Sequence, residues 1–162
     1  MPYYIKRKPK KKEDSLPLFK TAGVKIKKKS NLIAKLDRIF SVYIRLRDTM
    51  PNGYFKCISC GQFKKFIQAD CGHFFSRTHM STRFDEENCN AECSACNRFS
   101  ADHLICYREH LIEKIGENRF DILSWRAHQI KKWSDFELEA MINHYKKEAK
   151  RLSIEKGIKV NI

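Results

Sequence analysis

The stretches Cys57-Ile58-Ser59-Cys60 and Cys93-Ser94-Ala95-Cys96 decide the fold, because they place two C-x-x-C pairs in one chain. Each pair makes a tight turn that directs two sulfurs toward one point, and zinc prefers four such ligands in a tetrahedron. We therefore predict that the pairs form one structural zinc site, with the ligands Cys57, Cys60, Cys93 and Cys96. The alternative, a redox dithiol at one pair, lacks the βαβ pattern of thioredoxin-like proteins.

The two pairs are separated by 32 residues, more than the roughly 15–20 residues between the knuckles of a plain zinc ribbon. A further structural unit must therefore lie between them. This segment and the residues after it carry carboxylate, imidazole and amide groups, among them Asp70, His73, Asn88, Asn97 and His103. Phosphodiester hydrolysis needs a base that activates water and a hard cation that stabilises the leaving oxygen. A neutral imidazole suits the first task, and carboxylate oxygens suit Mg²⁺.

Three motifs in this region resemble those of the HNH (His-Me finger) endonucleases: Asp70-x-Gly72-His73, Arg83-Phe84-Asp85-x-x-Asn88 and Cys93-x-x-Cys96-Asn97. More closely, the chain is similar to the NinG (Rap) family of phage recombination endonucleases, from about residue 40 to residue 152. The resemblance implies an α+β fold, in which a zinc-braced ββα-metal (HNH/His-Me finger) core is flanked by α-helices.

The resemblance also implies roles for individual residues. His73 is expected to be the general base at the end of the first strand, and Asn88 is expected to hold the hairpin and orient His73. A catalytic Mg²⁺ or Mn²⁺ is expected on Asp70 and Asn97, with His103 as a further candidate ligand. The chain departs from the family pattern at Gly72, where many HNH enzymes have their acidic ligand.

A DNA substrate follows from the same resemblance, with a preference for branched intermediates such as Holliday junctions and D-loops. We therefore expect a metal-dependent DNA endonuclease. Two alternatives remain open: a non-catalytic zinc module that binds nucleic acid, and an HNH nuclease that acts on linear duplex DNA. Symmetric cutting of a junction needs two sites related by a two-fold axis, so a homodimer is expected by analogy, with the helices at 31–48 and 135–152 as a possible interface.

The charge of the chain favours nucleic acid as a partner. Lys and Arg number 33 against 19 Asp and Glu, a formal net charge of +14, and such a surplus is typical of proteins that bind polyanions. Eleven of the basic residues fall within residues 1–30, which we predict to be a flexible basic arm. Phosphate contacts are expected from Lys27, Lys28, Lys29, Arg77 and Arg83. A ribosomal or anionic lipid surface, or a solubilising tail, are the alternatives.

The arm is expected to precede a single nuclease domain over residues 31–152 and a C-terminal tail over 153–162. Hydrophobic periodicity predicts helices over 31–48, 104–115, 119–131 and 135–152. Ser134 and Glu137 have the spacing of a capping box at the start of the last helix. Two short strands are expected at 55–58 and 63–68. The remaining cysteines are expected to be small buried hydrophobes: Cys71, Cys89 and Cys106.

No membrane partner is expected, because no apolar run approaches the roughly 20 residues of a membrane-spanning helix. The N-terminal residues also lack the apolar segment of a secretory signal. We expect the protein in the cytoplasm, which is the host cytoplasm if the chain is encoded by a bacteriophage.

Overall fold

In the described residues one helix is followed by a run of short strands and then by a run of helices, an order that is typical of an α+β protein. The computed structural model describes residues 31–100 and 102–161, so the arm predicted for residues 1–30, with Lys27, Lys28 and Lys29, lies outside them. No helix in these two ranges is long and apolar enough to cross a membrane. In chain order the elements are α1 (Leu32–Asp48), β1 (Tyr54–Lys56), β2 (Phe63–Lys65), β3 (Ala69–His73), β4 (Cys89–Cys93), α2 (Ser94–Phe99), α3 (His103–Ile115), α4 (Glu117–Ala127) and α5 (Asp135–Glu155).

The helices begin and end close to where the periodicity predicts them. Asn31 caps α1 by accepting a hydrogen bond from a backbone amide one turn later, at 3.0 Å. The expected capping box between Ser134 and Glu137 opens α5. α4 ends at Ala127, four residues before the expected end. The apolar Ile130 suggested a longer helix, but its side chain is 94% exposed and contributes nothing to the core.

α1 and α5 pack along each other and bury their apolar faces within the chain. Phe40 of α1 lies against Tyr145 of α5, with ring centroids 4.8 Å apart. The same cluster includes Leu36, Ile39, Ile44, Leu138 and Ile142. These are the two helices that the sequence suggested for a dimer interface. Their apolar faces cover each other within the chain, so these faces are not available to a second copy.

Two antiparallel hairpins follow α1, formed by β1 with β2 and by β3 with β4. The first hairpin was predicted, and the structure confines its strands to residues 54–56 and 63–65. The second was expected only from the family resemblance, which places His73 at the end of a strand and Asn88 in a hairpin, and was not identified by periodicity. All five residues of β4 are buried, so its sequence lacks the alternation of exposed and buried residues that identifies a half-buried strand.

The two faces of the β3–β4 hairpin contact different parts of the protein, because side chains alternate along a strand. Cys71 and Cys89 enter the α1–α5 core. On the other face, Glu92 contacts His103 at the start of α3. The register places Asp70 opposite Glu92, so these two carboxylates share the face that is turned toward α3.

The residues predicted as a C-terminal tail are packed over their described part. α5 continues to Glu155, three residues beyond its expected end. Ile158 and Val160 then contact an apolar cluster that joins the end of α1 to α5. The Lys156 ammonium donates a hydrogen bond to the carbonyl of Leu46 at 2.7 Å. Residues 153–161 therefore close the end of the helix pair.

An ion pair between Arg47 and Asp48 ties the end of α1 to the second hairpin. The Arg47 guanidinium donates to the carbonyls of Glu86 and Cys89 at 2.9 and 2.8 Å. Asp48 accepts a hydrogen bond from the Ala91 amide at 2.8 Å. Burial alone would raise the pKa of Asp48, but the hydrogen bond and charge of Arg47 lower it below its ordinary value. The charged carboxylate therefore stabilises this junction.

We expect Asp48→Asn to lower the free energy of unfolding by about 2–3 kcal/mol at pH 7, because half-buried Arg47 loses the nearer of its two acidic partners and keeps Glu86 at 3.6 Å. The folded-state pKa of Asp48 is lowered, so its contribution is present above the ordinary carboxyl pKa and is lost as the pH falls through the folded value. Urea denaturation at pH 7 and at acidic pH measures this, and the difference from wild type should shrink in acid. Asp121→Asn, at an exposed position of α4, is the matched control, and equal losses in both variants would contradict the assignment.

Candidate functional site

Four cysteine sulfurs converge between the first hairpin and α2. The Sγ atoms of Cys57, Cys60, Cys93 and Cys96 all lie within 4.8 Å of one another. The amide of Cys93 donates a hydrogen bond to the sulfur of Cys57 at 3.2 Å. Burial nevertheless raises the pKa of Cys57 to about 11, so a metal that binds here would have to displace the thiol proton. Four protein sulfurs at this spacing fit a tetrahedral ion, so the cluster could hold a metal such as zinc. Since the protein supplies all four ligands, such a site is structural.

The cysteine cluster lies over a small apolar core. Phe55, Ala69 and Ala91 are almost fully buried beneath it. Cys57 and Cys60 belong to the turn after β1, whereas Cys93 ends β4 and Cys96 lies in α2. A core of this size cannot hold two hairpins and a helix together by burial alone. A bound metal would supply the missing cohesion.

A second group of sulfur and nitrogen atoms lies on the core side of the β3–β4 hairpin. The thiols of Cys71 and Cys89 and a ring nitrogen of His73 lie within 4.8 Å of one another. Burial raises the pKa of Cys89 well above its ordinary value, so this thiol is neutral, and both cysteines are buried as predicted. Cys106 was also predicted to be buried, but it is exposed, because α3 buries the opposite face around Tyr107.

His73 ends β3, and its imidazole lies between two backbone carbonyls. Nε2 is 3.1 Å from the oxygen of Arg83, and Nδ1 is 3.2 Å from the oxygen of Cys71. Burial, followed by the charge of Arg77, lowers the pKa of His73 below 6.5, so the ring is neutral at pH 7. A neutral imidazole carries one N–H, so only one contact is a hydrogen bond and the other nitrogen keeps a lone pair. This is the protonation state that a general base requires.

Asn88 organises the loop that connects β3 to β4. Its buried side chain accepts a hydrogen bond from the amide of Phe75 at 2.7 Å and donates to the carbonyls of Phe75 and Thr82 at 2.9 and 3.0 Å. The next carbonyl, that of Arg83, faces His73. No hydrogen bond joins Asn88 to the imidazole among the described residues. Any orienting effect of Asn88 on His73 therefore acts through the loop.

The structure brings Asp70 and Asn97 together but separates them from His73. Asn97 donates to Asp70 at 3.1 Å, and Arg98 donates to both carboxylate oxygens at 2.7 and 2.8 Å. Burial raises the pKa of Asp70, but the hydrogen bond to Arg98 and the other donors outweigh it, so the pKa is lowered. Positions 70 and 73 are three apart in a strand, so their side chains leave opposite faces. The predicted cluster is thus divided between two faces of the hairpin.

His103 contacts Glu92, a residue that the sequence analysis did not select. Nδ1 of His103 is 2.7 Å from Oε1 of Glu92, and the hydroxyl of Ser59 donates to the same oxygen at 2.5 Å. The Glu92 side chain is 0% exposed, which is rare for a glutamate. One feature of the sequence could have identified Glu92: it is the one acidic residue in the otherwise uncharged run 89–94, directly before a pair of zinc ligands.

The two arginines that were expected to contact phosphate differ in their surroundings. Arg83 forms an ion pair with Asp37 of α1 at 2.6 Å and also donates to the carbonyl of Arg77. Its guanidinium therefore fastens the β3–β4 loop to α1. Arg77 is exposed and is the better placed of the two for a phosphate.

A basic groove of about 740 Å³ opens beside Arg77, where α1 and α5 meet the loop. Five basic side chains line it: Lys35, Arg38, Arg45, Arg77 and Lys146. The acidic residue in the lining, Asp37, is neutralised by Arg83. Arg77 also lies close enough to His73 to influence its pKa. The groove is thus a positively charged surface that includes Arg77, a neighbour of His73.

We expect Cys93→Ser to lose most of the bound zinc and to unfold at a lower temperature, because a zinc site stabilises the fold that forms it. Elemental analysis of the purified protein and thermal denaturation measure the two effects. Cys106→Ser is the control, since this cysteine is exposed and outside the cluster. Equal zinc content in both variants would rule out the four-cysteine site.

Comparison with known proteins identifies the family. A family model described as "Bacteriophage Lambda NinG protein" matches residues 4–155. The chain is 32% identical over 144 residues to protein ninG of Escherichia phage 933W, covering 86% of this chain and 66% of that protein. It is 33% identical over 143 residues to protein ninG of Salmonella phage P22 and 32% identical to that of Escherichia phage lambda, with 86% of this chain and 64% of each relative covered.

The chain thus spans just under two thirds of the length of these relatives. No solved structure matches it significantly. The family match extends over most of the chain and includes both hairpins, the cysteine cluster and the capped last helix. This protein belongs to the NinG family of bacteriophage proteins.

Proposed function

We propose that this chain is a metal-dependent endonuclease of the HNH (His-Me finger) type, which hydrolyses phosphodiesters in DNA and prefers branched DNA. The observation that carries the proposal is the succession β3, loop, β4 and α2. In this unit a neutral His73 ends the first strand, Asn88 ties the loop and Asn97 lies on the helix. This order agrees with the ββα-metal core that the sequence motifs imply.

His73 would act as the general base in this proposal. The ring nitrogen that keeps its lone pair takes a proton from the attacking water. The other nitrogen donates to a backbone carbonyl, which holds the ring in place and stabilises the imidazolium that forms. A divalent cation at the site supplies charge stabilisation for the leaving oxygen. Exposed Arg77 supports the assignment, because it offers a phosphate contact beside His73.

The candidate cation ligands Asp70 and Asn97 lie on the other face of β3 from His73. A phosphate in contact with both His73 and a cation on Asp70 and Asn97 must therefore approach along the edge of β3. In the described residues β3 pairs with β4 alone, so no further strand covers its second edge. His103 lies on the same face as Asp70, through its contact with Glu92 opposite Asp70.

The basic groove supports DNA as the polymer. The groove is lined by five basic side chains, and its acidic residue, Asp37, is paired with Arg83. Such a surface suits phosphate contacts that do not depend on sequence. The preference for branched DNA comes from the family resemblance, as does the homodimer that symmetric cutting of a junction requires. An HNH nuclease acting on linear duplex DNA would use the same groove.

A non-catalytic zinc module that binds nucleic acid is the second candidate. One observation favours it: Asp70 is already paired with Arg98 and faces away from His73. Such a module needs the cysteine cluster and the groove, but it has no need for a base and a cation at one phosphate. The two candidates therefore differ in whether bound DNA is cut.

We expect His73→Ala to cut a labelled four-way junction about 10²–10⁴-fold more slowly than wild type in Mg²⁺ or Mn²⁺, because water loses its base. Zinc content should be unchanged. The wild-type rate should fall only at a pH below 6.5, since the folded-state pKa of His73 is lowered and protonation removes the lone pair. Gel analysis of the products over a pH series measures both effects.

His144→Ala is the control for this experiment, because His144 is exposed on α5. Cutting at the wild-type rate by zinc-loaded His73→Ala would overturn the mechanism. Binding of the junction by wild type without cutting in either metal would favour the non-catalytic module. Equal cutting of a linear duplex of the same sequence would favour the duplex nuclease.

We expect the double variant Arg38→Ala/Arg77→Ala to bind DNA more weakly and with less dependence on salt. For every phosphate that the variant no longer neutralises, the slope of log affinity against log salt should fall in magnitude by about 0.9. Fluorescence anisotropy of a labelled duplex and a labelled junction across a salt series gives this slope. Lys150→Ala removes an exposed charge that does not line the groove, and a slope equally reduced in this control would exclude the groove as the binding surface.

A further inference from the structure

Glu92 is a buried carboxylate in which one of the two oxygens has hydrogen-bond partners and the other has none among the described residues. Its Oε1 accepts a hydrogen bond from the hydroxyl of Ser59 and contacts Nδ1 of His103. Its Oε2 is buried and has no hydrogen-bond partner within the described residues. Leaving a buried polar oxygen without a partner is costly. The arrangement indicates that a group absent from the protein chain belongs at Oε2.

Gly72 leaves room for this carboxylate. A Cβ at position 72 would overlap Oε2 of Glu92 and would lie 2.9 Å from its Cβ. The φ angle of Gly72 is not positive, so the backbone does not require glycine there. The space is needed instead by the Glu92 side chain. Position 72 directly precedes His73, and it is the position at which the family pattern often has an acidic ligand.

The neighbouring carboxylate is already neutralised. Asp70, which lies opposite Glu92 in the hairpin, accepts two hydrogen bonds from Arg98 and one from Asn97. A divalent cation on Asp70 would have to displace Arg98. At Glu92 the unpartnered oxygen needs no such displacement. Oxygen ligands suit Mg²⁺ and Mn²⁺, which keep most of their remaining positions for water and substrate.

We propose that Glu92, through Oε2, is the carboxylate that binds the divalent cation of this chain, on the face of the hairpin where Gly72 carries no side chain. His103 and Ser59 are positioning residues, because they hold Oε1 and so fix the direction of Oε2. The use of the cation in hydrolysis rests on the proposed function, whereas the binding itself does not. Glu92 thus replaces the acidic side chain that position 72 lacks, and Asp70 becomes a structural partner of Arg98.

Mn²⁺ binding to the full, zinc-loaded chain tests this inference without reference to cleavage. Electron paramagnetic resonance of free Mn²⁺ gives the affinity. We expect Glu92→Gln, which keeps the size of the side chain, to weaken Mn²⁺ binding about tenfold or more. Glu109→Gln, at an exposed position of α3, is the matched control and should leave Mn²⁺ binding unchanged. Asp70→Asn compares the two carboxylates of the hairpin face, since a loss of binding there alone would assign the cation to Asp70. Unchanged zinc content and an unchanged circular dichroism spectrum establish that each variant is folded.

Gly72→Ala is the second variant, because it leaves the charge in place and fills the space beside Oε2. It should also weaken Mn²⁺ binding. Wild-type affinity in Glu92→Gln, or loss of binding in Asp70→Asn alone, would overturn the assignment to Glu92. If wild type cuts DNA while Glu92→Gln binds Mn²⁺ normally, the inference fails and the proposed function stands. If wild type binds Mn²⁺ through Glu92 and cuts no DNA, the proposed function fails and the site stands.

Discussion

The antiparallel pairing of β3 with β4 is the constraint on which the rest of this structure depends. Its register places Asp70 opposite Glu92 and His73 opposite Cys89. A slip of one residue would exchange the face that carries buried thiols for the face that carries carboxylates. The ion pair at the end of α1 holds this register along the hairpin, and the cysteine cluster holds it at the end of β4.

Charge pairing explains how acidic residues can stand in a surface suited to a polyanion. Three aspartates near the hairpin are each matched by an arginine: Asp37 with Arg83, Asp48 with Arg47 and Asp70 with Arg98. Each pair also fastens one element to another, so removing the arginine would cost both charge balance and packing. Of the three aspartates Asp37 lines the basic groove, and its ion pair with Arg83 leaves the groove positively charged. Glu92 differs from the three aspartates because its second oxygen has no hydrogen-bond partner among the described residues.

Several features could be predicted from the sequence because they depend on short-range spacing. The two C-x-x-C pairs predicted the cysteine cluster, and three- and four-residue periodicity predicted the helices within a few residues. The capping box at Ser134 is likewise a pattern of four consecutive residues. His73 was correctly placed at a strand end, although its catalytic role stays a prediction. In all these cases the determining groups are close together in the chain.

Other features could be seen only in the tertiary structure, because they involve residues that are far apart in the chain or strands that are buried on both faces. Periodicity did not identify the β3–β4 strands, because all five residues of β4 are buried and its sequence lacks alternation. The partner of Arg83 is 46 residues away in α1, and the apolar faces of α1 and α5 cover each other rather than a second copy. The sequence by itself determined which residues are apolar, which can bind metal and where helices begin. The tertiary structure decided which faces meet, because periodicity records the direction of a side chain relative to its own element and not the element it will contact.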